Sequence, residues 1–398
     1  MQLSFVWRYT MANTKRWCWY IPIVSLICTV IWYSYTMEST SRNRVAITAL
    51  KPRVIDDTKQ NVVAILSKQN VVPTVSKLEK KNEKYLVYLC DEKRDCGGWG
   101  DRQRGIVSLF LLSLVWKRTF KILISSPCDI KPYYTPTKEY NWIFTDDELK
   151  GLKDQKTKTL DFVGVDEPLM NMNMNSSEIA DVLYIKTNCV NFLIIALKYA
   201  NFLPVYLRKK GRASIFRESW NRFMIPTDKL LSQVVKIDSR GEINSDAKKL
   251  GKELVCAHLR IGHSKYLPND YVGFPLVAVP KVWNFIDDNF HKKSRIFVAT
   301  DNLDVRKSAI SKYGRRYIGS YAYTMNPDNM RSNLTLACSS QESAYVDQLM
   351  LSKCDVLIFY RRSGFSIHAS YLKTEWTNIY SILRNGSSTF SLQKTNIY

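Results

Sequence analysis

The chain is short of histidine and of acidic residues: it has four histidines, and 36 Asp and Glu against 58 Lys and Arg in 398 residues. No two of its nine cysteines stand two to four residues apart and the histidines do not cluster with them, so the usual spacing of a zinc module is missing. The glycine-rich stretch Gly97-Gly98-Trp99-Gly100-Asp101-Arg102-Gln103-Arg104-Gly105 has no Lys-Ser or Lys-Thr after it, which excludes a Walker A loop. Its spacing is not the dinucleotide fingerprint either. The net charge of +22 fits an anionic substrate, an acidic membrane surface or polyanionic glycans as readily as nucleic acid. Its carriers are scattered in short groups such as Arg208-Lys209-Lys210, Lys248-Lys249 and Arg361-Arg362. A polyanion binder would gather them on one face, so nucleic acid is not an expected partner.

What is present begins with the N-terminus. Trp17 to Met37 is 21 residues without a charge, enough to span a bilayer core of about 30 Å. Lys15 and Arg16 precede it, Glu38 follows it, and aromatics stand at both ends. No small-residue cleavage site accompanies it, so it reads as a type II signal anchor rather than a cleaved signal. The expected layout is a cytoplasmic tail over 1–16, a transmembrane span over 17–37, and a polar stem over 38–83 that carries a lumenal head. Sequons at Asn175, Asn333 and Asn385 agree with a lumenal glycoprotein. Seven cysteines lie beyond the anchor; most should pair in an oxidising compartment, and the odd count leaves at least one free or intermolecular.

At this length the chain holds two ordinary domains or one large α/β unit. Tyr85–Leu89 reads as a strand, the glycine-arginine stretch as a tight turn, Ile106–Trp116 as a buried helix and Phe120–Ile124 as a second strand. This is a β-α-β start and predicts a parallel sheet. Helices are expected over Ser177–Ile185 and Val190–Phe202, and a domain junction over the polar stretch Pro226–Glu242. Beyond it strands (Leu254–Leu259, Arg295–Thr300, Tyr317–Tyr321, Asp355–Tyr360) alternate with helices (Val282–Phe290, Leu303–Tyr313, Ser343–Ser352, and one from Phe365). That pattern predicts a doubly wound sheet.

Ligands gather at the carboxyl ends of strands in such sheets. There the sequence places His258-Leu259-Arg260-Ile261-Gly262-His263, Thr300-Asp301-Asn302, and Arg361-Arg362-Ser363-Gly364-Phe365-Ser366. Arginine offers a planar fork to phosphate, Asp or Asn can read ribose hydroxyls, and a Ser-Gly turn before a helix can donate to phosphate oxygens. The chemistry suggested is capture of a nucleoside diphosphate. Each element also has a plainer use: an ion pair for Arg260, helix caps for Asp301-Asn302 and Ser363, a packed imidazole for His368.

The glycine-rich basic stretch, His-x-Arg-x-Gly, Ala-Thr-Asp-Asn, and Asp347 eight residues before Asp355-Val-Leu-Ile with Ser-Gly-Phe-Ser after it together resemble the fucosyltransferase superfamily. The second half is most similar to the α1,6-fucosyltransferases. The resemblance spans roughly residues 85–380. It implies a GT-B fold of two Rossmann-like domains, an acceptor-side domain over 84–235 and a nucleotide-sugar domain over 236–398. It implies GDP-fucose as donor, inverting transfer to a hydroxyl of a glycan or glycoprotein acceptor, a Golgi membrane location and no cofactor or metal. The chain has no Asp-x-Asp metal motif.

Carried over, His258 and Arg260 would hold the diphosphate, with Arg260 stabilising the departing GDP. Asp301 and Asn302 would lie near the nucleoside. Asp347, Ser363, Gly364 and Phe365 would complete the donor pocket, and Gly97, Gly98, Gly100 and Arg102 would approach from the other domain. The family's second arginine is Ile261 here. Asp270 is the expected general base, with Asp101 and His263 as competitors. Another sugar-nucleotide transferase and an inactive glycan-binding relative are the alternative readings, and a homodimer is compatible with all of them.

Overall fold

Tyr-Leu-Val-Tyr-Leu-Cys has no polar alternation, which suits a strand covered on both faces. It forms β1 (Tyr85–Cys90), buried throughout. The computed structural model describes residues 83–165, 169, 180–239, 250–262, 273–319, 333–375, 378–385 and 389–396. The expected anchor and stem, the sequon at Asn175, and both His263 and Asp270 lie outside these residues. Glu83–Tyr398 is one compact unit.

From β1 the chain enters α1 (Trp99–Trp116), β2 (Thr119–Ile124), the two-residue β3 (Tyr134–Thr135), the short α2 (Asp146–Gly151), β4 (Thr157–Phe162) and β5 (Val182–Thr187). α3 (Phe192–Lys198), α4 (Arg212–Phe223), β6 (Ile225–Pro226) and α5 (Asp228–Asp238) follow. The second half runs β7 (Leu254–Leu259), α6 (Val279–Asn289), β8 (Arg295–Thr300), α7 (Leu303–Tyr313), α8 (Leu334–Lys353), β9 (Val356–Tyr360), α9 (Gly364–Leu372), β10 (Asn378–Asn385) and β11 (Thr389–Lys394). Among the described residues the fold is mixed α/β with two larger sheets and a two-stranded antiparallel pair, β3-β6. The first is parallel in the order β2-β1-β5-β4. The second is β11-β10-β9-β7-β8, parallel except for β11 at its edge.

Both sheets reverse strand order beside their first strand. The crevices this creates open at the carboxyl ends of β1 and β5, and of β7 and β9, where ligands of such sheets bind. Alternation along β7 then sorts the site residues. Leu254 and Cys256 belong to the core shared with the first half, while Val255, Ala257, Leu259 and Ile261 fill the core on the opposite face. Ile261, where the resembling family has an arginine, is thus committed to apolar packing.

Several elements differ from the sequence expectation. The tight turn is shorter than the glycine-arginine stretch: only Gly97, at φ +82°, and Gly98 precede the helix, which begins at Trp99 instead of Ile106. No helix covers Ile185; Val182–Thr187 pairs as β5 between β1 and β4. β4 escapes a pattern search because an edge strand needs little apolar surface, and four of its six residues are exposed. The polar stretch Pro226–Glu242 holds a helix the sequence pattern did not suggest, α5, capped by Thr227, with Leu230, Val234 and Ile237 turned inward. Of the strand expected from Tyr317, the described part makes one bridge, to Ile296.

Disulfides join Cys90 to Cys96, Cys128 to Cys338 and Cys256 to Cys354. Cys128–Cys338 fastens the first half to α8 across 210 residues of chain. By loop-closure entropy its loss, as Cys128→Ser with Cys338→Ser, should cost about 5 kcal/mol, against about 2 kcal/mol for the short Cys90–Cys96 loop. Urea unfolding of the two double variants checks the ranking.

Candidate functional site

Arg260 follows the last residue of β7 on a tightly held loop. Gly262 takes φ +78°, and Gly273 lies so close that a Cβ there would stand 2.1 Å from the Arg260 carbonyl oxygen. The N–H groups of Gly273 and Phe274 donate to the carbonyls of Ile261 and Arg260. Asp301, just past β8, closes the loop from the other side. Its Oδ1 accepts from Ile261 N at 2.7 Å, and its Oδ2 accepts from Gly262 N at 2.8 Å and pairs with Arg260 Nη1. Asp301 is buried, whereas a quarter of the Arg260 side chain remains exposed. The result is a guanidinium held by Asp301 at the carboxyl end of β7.

His258 stands one strand repeat before Arg260. Its Nδ1 lies 3.0 Å from Ser366 Oγ and its ring 4.9 Å from Phe365. Burial, reinforced by the charge of Arg260, pushes its pKa down to about 3, so the ring is neutral near pH 7. This histidine braces the first turn of α9 through Ser366 and Phe365. Between pH 6.5 and about 3 the unfolded chain binds a proton there that the folded chain refuses, so stability falls with pH across that window and levels off below it. The stability gap between the native chain and His258→Gln should therefore narrow as pH falls from 6.5 toward 3, as read by urea midpoints.

The first turn of α9 meets the first turn of α1. A Cβ on Gly100 would lie 2.5 Å from Phe365 N and 2.7 Å from Gly364 C, so only glycine lets the two backbones touch. Ser363 is the N-cap of α9 but makes no side-chain cap bond, unlike Thr145 and Asn302 at α2 and α7. The first turn of α9, at the positive end of the helix dipole, is thus without a side-chain cap from Ser363. Arg104 borders the same spot, its Nη2 3.7 Å from where a Gly364 Cβ would be, and it pairs with Asp101 at 2.6 Å. Partial desolvation raises the Asp101 carboxyl above the usual range, opposed by Arg104, the Gly98 N–H, Arg260 and Arg102, while 42% of its side chain stays open to solvent.

No family model and no curated protein matches this sequence. Among solved structures the chain is similar to the α-1,6-fucosyltransferase NodZ soaked with GDP-fucose, at 13% identity over 79% of this chain and 100% of that one, TM-score 0.48. NodZ is also represented from Bradyrhizobium. It is similar to a mutant of Arabidopsis thaliana FUT1 in complex with GDP, at 13% identity over 75% of this chain and 70% of that one, TM-score 0.46. POFUT1 in complex with GDP-fucose follows, at 10% identity over 76% and 98%, TM-score 0.43. The chemistry has to be argued from the site itself.

The structure brings His258, Arg260, Asp301, Gly364, Phe365 and Gly100 together and puts other expected residues to different use. Asn302 caps α7, accepting from the N–H groups of Asp304 and Val305. Arg102 is buried with its guanidinium donating to the carbonyls of Gly97 and Ser126, so Arg104 is the arginine of α1 that reaches the seam. Asp347 is buried in the middle of α8. His368 is a packed histidine, stacked on Phe216 at 4.5 Å between ring centroids. Reasoning from sequence missed Gln103 and Gln348, both fully buried, whose amides bond reciprocally at 2.9 and 2.7 Å. Gln348 also accepts from Trp99 Nε1 and donates to the Phe365 carbonyl, tying α1, α8 and the first turn of α9 together. The only trace in the sequence is two glutamines within otherwise apolar helix faces.

Proposed function

We propose that this chain is an inverting glycosyltransferase that moves fucose from GDP-fucose to a hydroxyl of a glycan or glycoprotein. The observation that carries the reading is the guanidinium of Arg260, fixed by Asp301 at the carboxyl end of β7, with α9 starting without a side-chain cap after the neighbouring strand β9, where the second sheet reverses its strand order. A diphosphate is the ligand that best uses a rigid fork together with a helix N-terminus. The motif resemblance of residues 85–380 supplies the guanosine and the fucose. In this reading residues 84–235 form the acceptor-side domain and 236–398 the nucleotide-sugar domain of a GT-B enzyme, held in the Golgi membrane by residues 17–37.

The acceptor oxygen attacks the anomeric carbon of fucose on the face opposite GDP. The bond from that carbon to the β-phosphate oxygen breaks, and its electron pair leaves with the phosphate. Arg260 neutralises the charge that develops there, with the α9 N-terminus adding its dipole. This role needs no metal ion. The acceptor proton passes to a carboxylate: Asp101, whose raised affinity for protons suits it, or Asp270.

Titration calorimetry of the detergent-solubilised chain tests the reading. GDP and GDP-fucose should bind in the presence of a chelator, and UDP-sugars and ADP-sugars should not. A glycan array with labelled GDP-fucose then identifies the acceptor. Absence of GDP-fucose binding, hydrolysis and transfer sinks the proposal, while preference for another sugar nucleotide favours a transferase of different donor.

A further inference from the structure

We propose that the outward face of residues 194–210 is a docking surface for an anionic lipid bilayer. α3 and the two single 3-10 turns after it turn Phe192, Ile195, Ala196, Leu203 and Leu207 into the core. The same segment leaves four large apolar side chains in water: Ile194 (47% exposed), Leu197 (66%), Phe202 (68%) and Val205 (77%). Scattered exposed apolar residues are ordinary, but four within twelve positions on one outward face make a patch. The patch is also pre-shaped. Arg208 donates from Nε to the Leu203 carbonyl at 2.7 Å and from Nη2 to the Asn201 carbonyl, pinning the loop that presents Phe202 and Val205.

Charge decides what covers this face. From Val182 to Arg217 there is no acidic residue, while Lys198, Arg208, Lys209, Lys210, Arg212 and Arg217 all lie there. Lys198, Lys209 and Lys210 are exposed, flanking the apolar knobs. A polyanionic glycan would answer the lysines and leave Leu197 and Phe202 without an apolar partner. A second copy of the chain would bring this basic face against itself and repel it. A bilayer with anionic headgroups satisfies both parts, since the apolar side chains enter the acyl boundary and the lysines stay with the headgroups. The surface is independent of the fucosyl-transfer reading and does not assume its lumenal orientation, because anionic lipids lie mainly in cytoplasmic leaflets.

Residues 83–398 are the piece to test, because they form one compact unit with their own cores and lack the apolar span at 17–37. In cosedimentation this piece should bind vesicles of phosphatidylcholine with phosphatidylserine, and bind phosphatidylcholine alone at least about tenfold more weakly. Salt should weaken the binding. Leu197→Glu with Phe202→Glu should lower it about tenfold or more, as should Lys209→Glu with Lys210→Glu. Leu276→Glu with Val277→Glu, on another exposed apolar pair, should leave it unchanged, and circular dichroism confirms that each variant folds. Equal binding to both vesicle types overturns the proposal, as does native-like binding by the Leu197/Phe202 variant. A dimer in sedimentation equilibrium that this variant dissolves also overturns it, assigning the face to a second copy.

Discussion

Under the proposed fucosyl transfer, Arg260→Ala is expected to lower kcat by about a thousandfold, the usual cost of removing a donor aimed at developing charge. The loss should fall mainly on kcat, because leaving-group charge is larger in the transition state than in bound GDP-fucose. Stability should fall by about 1–3 kcal/mol, because the buried Asp301 carboxylate loses its charge partner. The Asp301 carboxylate keeps its bonds from Ile261 N and Gly262 N when the guanidinium is gone, so the loop after β7 holds its shape. Arg260→Lys should recover only part of the rate, since an ammonium cannot give one edge to Asp301 and another to a phosphate as a guanidinium can. Initial rates with varied GDP-fucose, beside urea melts of the same proteins, check both halves. A rate within tenfold of native for Arg260→Ala would show that this guanidinium is not where the charge develops.

The second large effect is on stability. Gln348→Leu removes the acceptor for Trp99 Nε1 and for the Gln103 amide, and the donor to both Gln103 Oε1 and the Phe365 carbonyl. Gln103 is fully buried and the Trp99 side chain nearly so, and water cannot easily replace the lost partner. With several polar groups stranded, at about 1–3 kcal/mol each, a destabilisation of about 4 kcal/mol is expected. Gln103→Leu with Gln348→Leu should be less harmful than the sum of the single changes, because the mutual orphaning disappears. Urea unfolding of the four proteins forms the cycle, and additivity would refute the reciprocal pair. The network also seats the first turn of α9, so under the proposed function Gln348→Leu should weaken GDP binding as well.

Much of the site was legible because the residues that close a parallel strand sit at its carboxyl end, and β7, β8 and β9 announce themselves by unbroken apolar runs. Finding the strands therefore located His258, Arg260, Asp301 and Ser363. Their division of labour was not legible. Asp301 lies 41 residues from Arg260 in sequence and is spent on the Arg260 loop, a pairing that depends on β7 and β8 lying side by side. Asn302 took the local use, capping its own helix, which needs no tertiary partner. Arg102 and Arg104 look equivalent in sequence. Two positions on a helix differ by about 200° of rotation, so one enters the core and the other meets the seam.

The glycine-rich stretch shows the same boundary. Its composition determined that backbone would approach something closely, because glycine offers no Cβ to keep a neighbour away. Only the tertiary structure decided what: the first turn of α9, against Gly100. By itself the sequence determined the α/β alternation, the positions of the strand ends, and an arginine beside a Ser-Gly turn, since these are set by local periodicity and turn chemistry. The tertiary structure decided the clamp of Asp301 on Arg260, the neutral state of His258 and the Gln103–Gln348 tie. Each of those depends on burial and on partners dozens to hundreds of residues away, which no local pattern encodes.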